Sequence, residues 1–360
     1  MSIRNYLFGG FALLTLLACG TSRRVHEPSL HVPDTVVPVV AVDKSRTDDS
    51  VNLPIRYNTN KVEAFGGTTW QGRIQRELDS LCNLPLFETT QIGVCVYDLT
   101  DRQLLFAVNA DHRMRPASCQ KIVTAVATLH HLGANHSFAP VVLQPGWGWC
   151  WDDKETGMND FGYKGDRSSK DTLFVQEKTM TIAEVLMPMM KQSDNMLAES
   201  MFHQLATAEQ AAGNASAINP KSIRKEATKK INATISQTGL KADNYTIADG
   251  SGLSLYDYAS PRLLTHLLIF AYDEKSIFDT LYPTLPIAGV DGTLSKRMTG
   301  TPAQNNVHAK TGTVTGVSSL TGYCTAQNGH LLAFSIINQG LKKSADGRSF
   351  QDCVCAALCK

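Results

Sequence analysis

Three short polar motifs stand in fixed order along this chain: Ser118-Cys119-Gln120-Lys121, then Ser193-Asp194-Asn195, then Lys310-Thr311-Gly312. If they act together, the fold must gather a helix start, an interhelical turn and a strand into one cleft. The first two serines are 75 positions apart. Each motif alone is weak. Ser222-Ile223-Arg224-Lys225 repeats the first pattern and Ser50-Val51-Asn52 the second, but neither fits the order. Lys-Thr-Gly occurs once. A given tripeptide arises by chance in roughly one chain in ten of this length, so order and context carry the reading.

Residues three apart on a helix lie on the same face, which puts the Lys121 amine within reach of the Ser118 hydroxyl. A serine hydroxyl is a weak nucleophile and needs a base; lysine serves only when burial and a nearby cation lower its pKa. Lys310 is the natural candidate for that cation. A helix starting near Ser118 adds partial positive charge where an oxyanion would develop. Between two helices, Asn195 can donate to a substrate carbonyl and Ser193 can relay a proton to a leaving amine. Asn195 also suits a helix N-cap before Met196. On a strand, Lys310, Thr311 and Thr313 offer donors to a terminal carboxylate, while Gly312 lets a peptide backbone approach closely. The N–H groups of Ser118 and Thr313 can form an oxyanion hole.

Hydrophobic period gives the framework. Arg73 to Cys82 is amphipathic at helical spacing, and strand-like runs follow at Gln91 to Tyr97 and Gln103 to Val108. After Pro116, Ile122, Val123, Ala125, Val126 and Leu129 form the stripe of a helix. Further helices are expected over Thr181 to Met190, Met196 to Leu205, Pro220 to Ser236 and Pro261 to Tyr272. Strands then return at Val307 to Val314, Ser318 to Ala326 and Leu331 to Asn338, with Asn328-Gly329 as the last hairpin turn, before a helix from Ser349 to Cys359. Two strands, a helical block over about residues 117–275, then three strands and a helix describe an α+β or α/β sandwich. Its central antiparallel sheet comes from both chain ends.

Residues 6–18 are mostly apolar, too short to span a bilayer, and preceded by Arg4; residues 1–18 read as a signal peptide. Leu16-Leu17-Ala18-Cys19 resembles a bacterial lipobox, so Cys19 is a candidate lipidation site that would anchor the chain to a membrane. An ordinary signal peptide containing Cys19 is the other reading. Pro28, Pro33, Pro38 and Pro54 mark residues 19–65 as a tether, with a span of roughly 35 to 40 Å, ahead of a catalytic domain over residues 66–360. Val36 to Val40 can instead pair with an edge strand.

The whole chain carries 34 basic and 33 acidic side chains, and without residues 1–18 the two are equal. Such neutrality gives no electrostatic case for nucleic-acid binding. Apart from Cys19, eight cysteines remain, which permits disulfides in an exported protein or leaves several as small buried hydrophobes; Cys95 and Cys324 lie in apolar runs that favour the second reading. No Cys-x-x-Cys or His-Glu-x-x-His occurs, so neither metal nor cofactor is expected.

Over roughly residues 70–360 the sequence resembles the D-Ala-D-Ala carboxypeptidase/endopeptidase family of low-molecular-mass class C penicillin-binding proteins. Besides the triplet, the resemblance rests on Arg115-Pro116-Ala117, on Met196-Leu197-Ala198-Glu199 after the second motif, and on Asp249-Gly250-Ser251-Gly252-Leu253-Ser254. Leu285 to Leu294 and Ser319-Leu320-Thr321-Gly322-Tyr323 agree as well. It implies a penicillin-binding transpeptidase-like fold. It also implies a bacterial envelope enzyme, in the periplasm, that cuts peptidoglycan stem peptides and is inhibited by β-lactams. Ser118 would be the acylated nucleophile and Lys121 the base. Ser193 and Asn195 would serve proton relay and substrate binding, and Lys310 would anchor a carboxylate. The family's typical members insert large domains between the first two motifs. Here Trp147-Gly148-Trp149-Cys150-Trp151-Asp152-Asp153 resembles the start of that insert, and only a short Gly- and charge-rich loop comes after it. The tryptophans suit core packing or a stacking surface for glycan or stem peptide.

A β-lactamase shares the acylation chemistry but needs fast deacylation. The Glu-x-x-Leu-Asn loop of class A enzymes has no match between Asn195 and Lys310. A non-catalytic wall-binding protein on the same fold is the remaining alternative, and the presence of every reactive residue speaks against it.

Overall fold

A computed structural model describes residues 68–138, 179–208 and 220–360, together with four two-residue strand pieces at 141–142, 152–153, 158–159 and 174–175. The signal peptide, Cys19, the tether, Cys150 and the three tryptophans from Trp147 to Trp151 lie outside the described residues. No described helix is long and apolar enough to cross a membrane.

Strands β1 (Gln91–Asp98), β2 (Gln103–Val108), β3 (His308–Val314), β4 (Val317–Thr325) and β5 (Leu331–Gln339) form one sheet in the order β2-β1-β5-β4-β3. Every pairing is antiparallel, and β1 meets β5 from Gln91↔Gln339 to Asp98↔Leu332. The two chain ends thus share the sheet's centre, as the strand distribution predicts. Alternate residues face opposite ways in a strand. Val94, Val96, Leu320, Leu332, Phe334 and Ile336 pack beneath helices α1 (Trp70–Cys82) and α8 (Ser344–Leu358). Tyr97, Tyr323, Ala333 and Ile337 pack toward the helical block on the other face. With both faces covered, the central strands are buried along almost their whole length.

Helix α2 (Gln120–Leu132) runs through the middle of that block and is buried on all sides from Gln120 to Leu129. A helix surrounded by others cannot keep a polar face in water, so Thr124 donates to Gly250 O (2.7 Å) and Thr128 to Thr124 O (2.7 Å). Around it stand α3 (Ile182–Lys191), α4 (Asn195–Thr207), α5 (Pro220–Gln237), α6 (Pro261–Asp273) and α7 (Lys275–Leu281). Tyr323 OH donates to Leu268 O (2.8 Å), tying α6 to the sheet.

Two expectations need correction, and the open reading of the cysteines is decided among the described residues. The helical block extends past residue 275, because α7 forms where none is predicted; its seven residues are too few to show a period. The N-cap of α4 is Asp194, whose carboxylate accepts from Leu197 N (3.0 Å), rather than Asn195. The seven described cysteines are free thiols. Cys95, Cys119, Cys324, Cys355 and Cys359 are buried among apolar neighbours or beside β-strands, as small hydrophobes are.

Candidate active site

The 3-10 turn Ala117–Cys119 leads directly into α2 and carries Ser118, half-buried at the helix start. Two approaches of backbone fix that turn. A Cβ on Gly312 would lie 2.2 Å from Ser319 Oγ and 2.7 Å from Pro116 O, and one on Gly252 would lie 1.9 Å from Ala117 O. Gly312 is therefore needed for contact with the chain's own nucleophile turn, where the sequence suggests room for a substrate backbone. Ala117 itself is held at φ +47° and Ser193 at φ +61°, a region that costs L-residues energy and persists only when neighbours enforce it.

Lys121 is fully buried, yet its ammonium finds three acceptors: Ser118 Oγ at 3.1 Å, Asn195 Oδ1 at 2.7 Å and Ser251 O at 2.9 Å. With Oδ1 so engaged, the Asn195 amide nitrogen is the group left for a ligand. Burial lowers the Lys121 pKa to about 8, against the opposing pull of Glu199, Asp249 and Asp194. Lys310, also fully buried, donates to Ser193 Oγ (2.8 Å) and Thr311 O (2.8 Å). Burial first, and repulsion from Lys121 second, bring it to about 7. Burial is the main cause at both lysines, and at Lys310 the charge on Lys121 adds to it. Cys119 sits behind the pair, its thiol donating to Lys310 O (3.2 Å), and burial pushes its pKa up.

Ser118, Lys121, Ser193, Asn195, Lys310 and Thr311 therefore converge through direct bonds or adjacency, and Thr313 follows on the same strand, exposed. Thr311 Oγ1 donates to Thr293 Oγ1 (2.8 Å), and Lys191 ties α3 to the loop before Thr293 through Asp291 (2.6 Å) and Leu285 O (2.7 Å). Sequence reading gave no role to Thr293, Lys191 or Asp291, or to the buried acids Glu199, Asp249 and Asp257. Glu199, Asp249, Asp291 and Thr293 did lie in blocks already singled out by resemblance.

A family model described as the D-Ala-D-Ala carboxypeptidase 3 (S13) family matches residues 74–149 and 158–358. The chain belongs to that family. The break in the match, at residues 150–157, falls where the shortened insert is expected. A D-alanyl-D-alanine carboxypeptidase DacB of Haemophilus influenzae is 33% identical over 165 residues, covering 45% of this chain and 32% of the relative. A D-alanyl-D-alanine carboxypeptidase of an Actinomadura species is 35% identical over 164 residues, covering 44% of this chain and 28% of the relative. The matches thus span about a third or less of those relatives' length.

Among solved structures, penicillin binding protein 4 of Haemophilus influenzae, complexed with a β-lactam, superposes with a TM-score of 0.60 at 20% identity over 79% of this chain and 99% of the other. The TLA-1 extended-spectrum β-lactamase gives 0.54 at 18% identity over 81% and 98%. Both likenesses establish the penicillin-binding and β-lactamase type of fold, an α+β arrangement of antiparallel sheet and helices.

Proposed function

We propose that this chain is a serine-type D-Ala-D-Ala carboxypeptidase, or DD-endopeptidase, acting on peptidoglycan stem peptides. The observation that carries the reading is the Lys121 ammonium 3.1 Å from Ser118 Oγ, in a pocket that keeps its pKa near enough to neutrality for a base. Neutral Lys121 takes the Ser118 proton as Oγ attacks the carbonyl of the penultimate D-alanine. The N–H groups of Ser118 and Thr313 receive the oxyanion, and Ser193 passes a proton to the departing amine. Lys310 with Thr311 and Thr313 holds the terminal carboxylate, while the Asn195 amide orients the peptide. Water then releases the acyl group. A β-lactam carbonyl enters the same site and acylates Ser118. The chemistry needs no metal or cofactor, and a neutral surface charge fits a wall peptide better than nucleic acid.

The substrate's location agrees with a cell-envelope protein held by a lipid on Cys19 and working in the periplasm, the tether setting the domain off from the membrane.

A fluorescent penicillin should label the protein, with mass spectrometry placing the adduct on the Ser118 peptide. Labelling that survives Ser118→Ala but is lost in Ser222→Ala would refute the assignment. Purified muropeptides then separate the activities: free D-alanine marks the carboxypeptidase, and opened cross-links mark the endopeptidase.

A further inference from the structure

Behind the Ser118–Lys121 pair lies a nest of three buried carboxyl groups that no step of the proposed reaction uses. Asp257 is fully buried, and Glu199 and Asp249 are 3% and 5% exposed. All three grip the backbone of one loop, residues 248–254, between α5 and α6. Asp249 Oδ1 accepts from Ser251 N (3.0 Å) and Gly252 N (2.6 Å), and its Oδ2 from Ser254 N (2.7 Å). Glu199, from α4, accepts from Gly250 N (3.1 Å) and Ser251 N (2.9 Å). Asp257 Oδ1 accepts from Ala248 N (2.7 Å) and Asp249 N (3.3 Å).

This loop is what Lys121 leans on. Ser251 O accepts from the Lys121 ammonium at 2.9 Å, Gly250 O accepts from Thr124, and Gly252 abuts Ala117 O beside the nucleophile. A shift of the loop therefore moves the base and the nucleophile turn together.

Charge accounting excludes three ionised carboxylates in the nest: one ammonium balances at most one of them, and burial with the neighbouring Asp249 charge raises the Glu199 pKa to about 8. Three buried carboxylates face one buried ammonium, Lys121, with Asp194 as a further acid nearby. An unpaired buried charge is too costly to persist. Asp249 has three N–H donors, shared over both of its oxygens. Asp257 Oδ2, by contrast, is buried and meets no N–H or O–H donor, and the group that faces it is the Asp249 carboxylate. Two acceptors placed together need a proton between them. Burial and the neighbouring Asp249 raise the Asp257 pKa well above the ordinary carboxylate range, in agreement.

We infer that Asp257 is a positioning residue: as a neutral acid it donates from Oδ2 to Asp249, locking the 248–254 loop so that Ser251 O holds the Lys121 amine against Ser118 Oγ. The inference rests on the reading of Lys121 as base. Asp257 itself touches neither substrate nor reacting atoms.

Asparagine is the test, because its amide keeps both the acceptor toward Ala248 N and a donor toward Asp249. Penicillin acylation of full-length protein should slow on the order of tenfold or more in Asp257→Ala and stay within about threefold of wild type in Asp257→Asn. Infrared difference spectra of wild type against Asp257→Asn should show the carbonyl stretch of a protonated carboxylic acid in the wild type alone. If Asp257→Ala fails to fold, the asparagine variant and the infrared band still decide. Wild type without that band, or Asp257→Asn as slow as a folded Asp257→Ala, overturns the inference. Wild type that no penicillin labels sinks the serine-acylation reading instead, so the two failures are distinct.

Discussion

Two lysines in one pocket must hold opposite protonation states for the proposed reaction, and burial brings both pKa values toward neutrality. Lys121 must be neutral to accept a proton and stands at about 8, while Lys310 must be charged to hold a carboxylate and stands at about 7. Repulsion between the two ammonium groups makes them titrate as a pair, and the productive arrangement is the singly protonated form with its proton on Lys310. The acylation rate at low β-lactam concentration reads the free enzyme, so it should trace a bell with limbs near 7 and 8. Lys310→Arg changes one limb alone, because a guanidinium keeps its charge throughout the range. The alkaline limb should vanish, leaving a single rise governed by Lys121. The ratio of variant to wild-type rate, in which any constant geometric cost of the larger side chain cancels, should climb by on the order of tenfold between about pH 7.5 and pH 9. Stopped-flow labelling with a chromogenic β-lactam measures both curves. An alkaline limb of unchanged position in Lys310→Arg would show that Lys310 does not set it, and the division of labour between the lysines would fail.

Lys121→Arg should lose activity by at least about a hundredfold in the same assay, since a guanidinium cannot accept the serine proton; a loss no larger than that of Lys310→Arg contradicts the assignment of base and anchor. Gly312→Ala should destabilise the fold by about 1–3 kcal/mol, because its Cβ meets Ser319 and Pro116 below contact distance, and should slow acylation by moving the Ser118 turn. Unchanged thermal melting and labelling would mean that this contact relaxes freely. Membrane-phase partitioning of the wild type should disappear in Cys19→Ala, and a wild type recovered soluble with its N-terminus elsewhere would remove the anchor.

What could be read from sequence was set by range. The Ser118–Lys121 contact follows from three-residue spacing, and β2 is found at its predicted limits, Gln103–Val108, because a short strand between turns carries its own period. The helices around α2 start and stop within a few residues of expectation for the same reason. Tertiary environment is another matter. Nothing local distinguishes Asp257 from a solvated aspartate in the polar run before Pro261, and its burial exists only once α5, α6 and the 248–254 loop have closed. Lysine burial is equally silent: Lys310 follows Ala309 in an apolar run, but that it and Lys121 are both fully buried follows only from the packing around them. The α7 helix escapes notice because seven residues complete less than two turns, and it is held by a Lys275–Asp279 pair and by Phe278 against Tyr272 and Tyr323.

Strain beside the nucleophile supplies a last test of how the site is held. A non-glycine residue at φ +47°, as at Ala117, costs about 1–2 kcal/mol, and the enclosing contacts of Gly252 and Gly312 keep it there. Ala117→Gly would relieve that cost while adding roughly 0.5–1 kcal/mol of backbone entropy to be lost on folding, and it removes a buried methyl. The terms nearly cancel, so the melting temperature should move by only a few degrees. Acylation should respond differently. Glycine widens the conformations open to the turn, and small misplacements of reacting atoms are costly in rate, so Ser118 should react several-fold more slowly despite intact stability. A variant that melts as the wild type does and acylates just as fast would show that the positive φ at Ala117 is incidental to aiming Ser118. In that case Lys121 and the 248–254 loop would hold the nucleophile on their own.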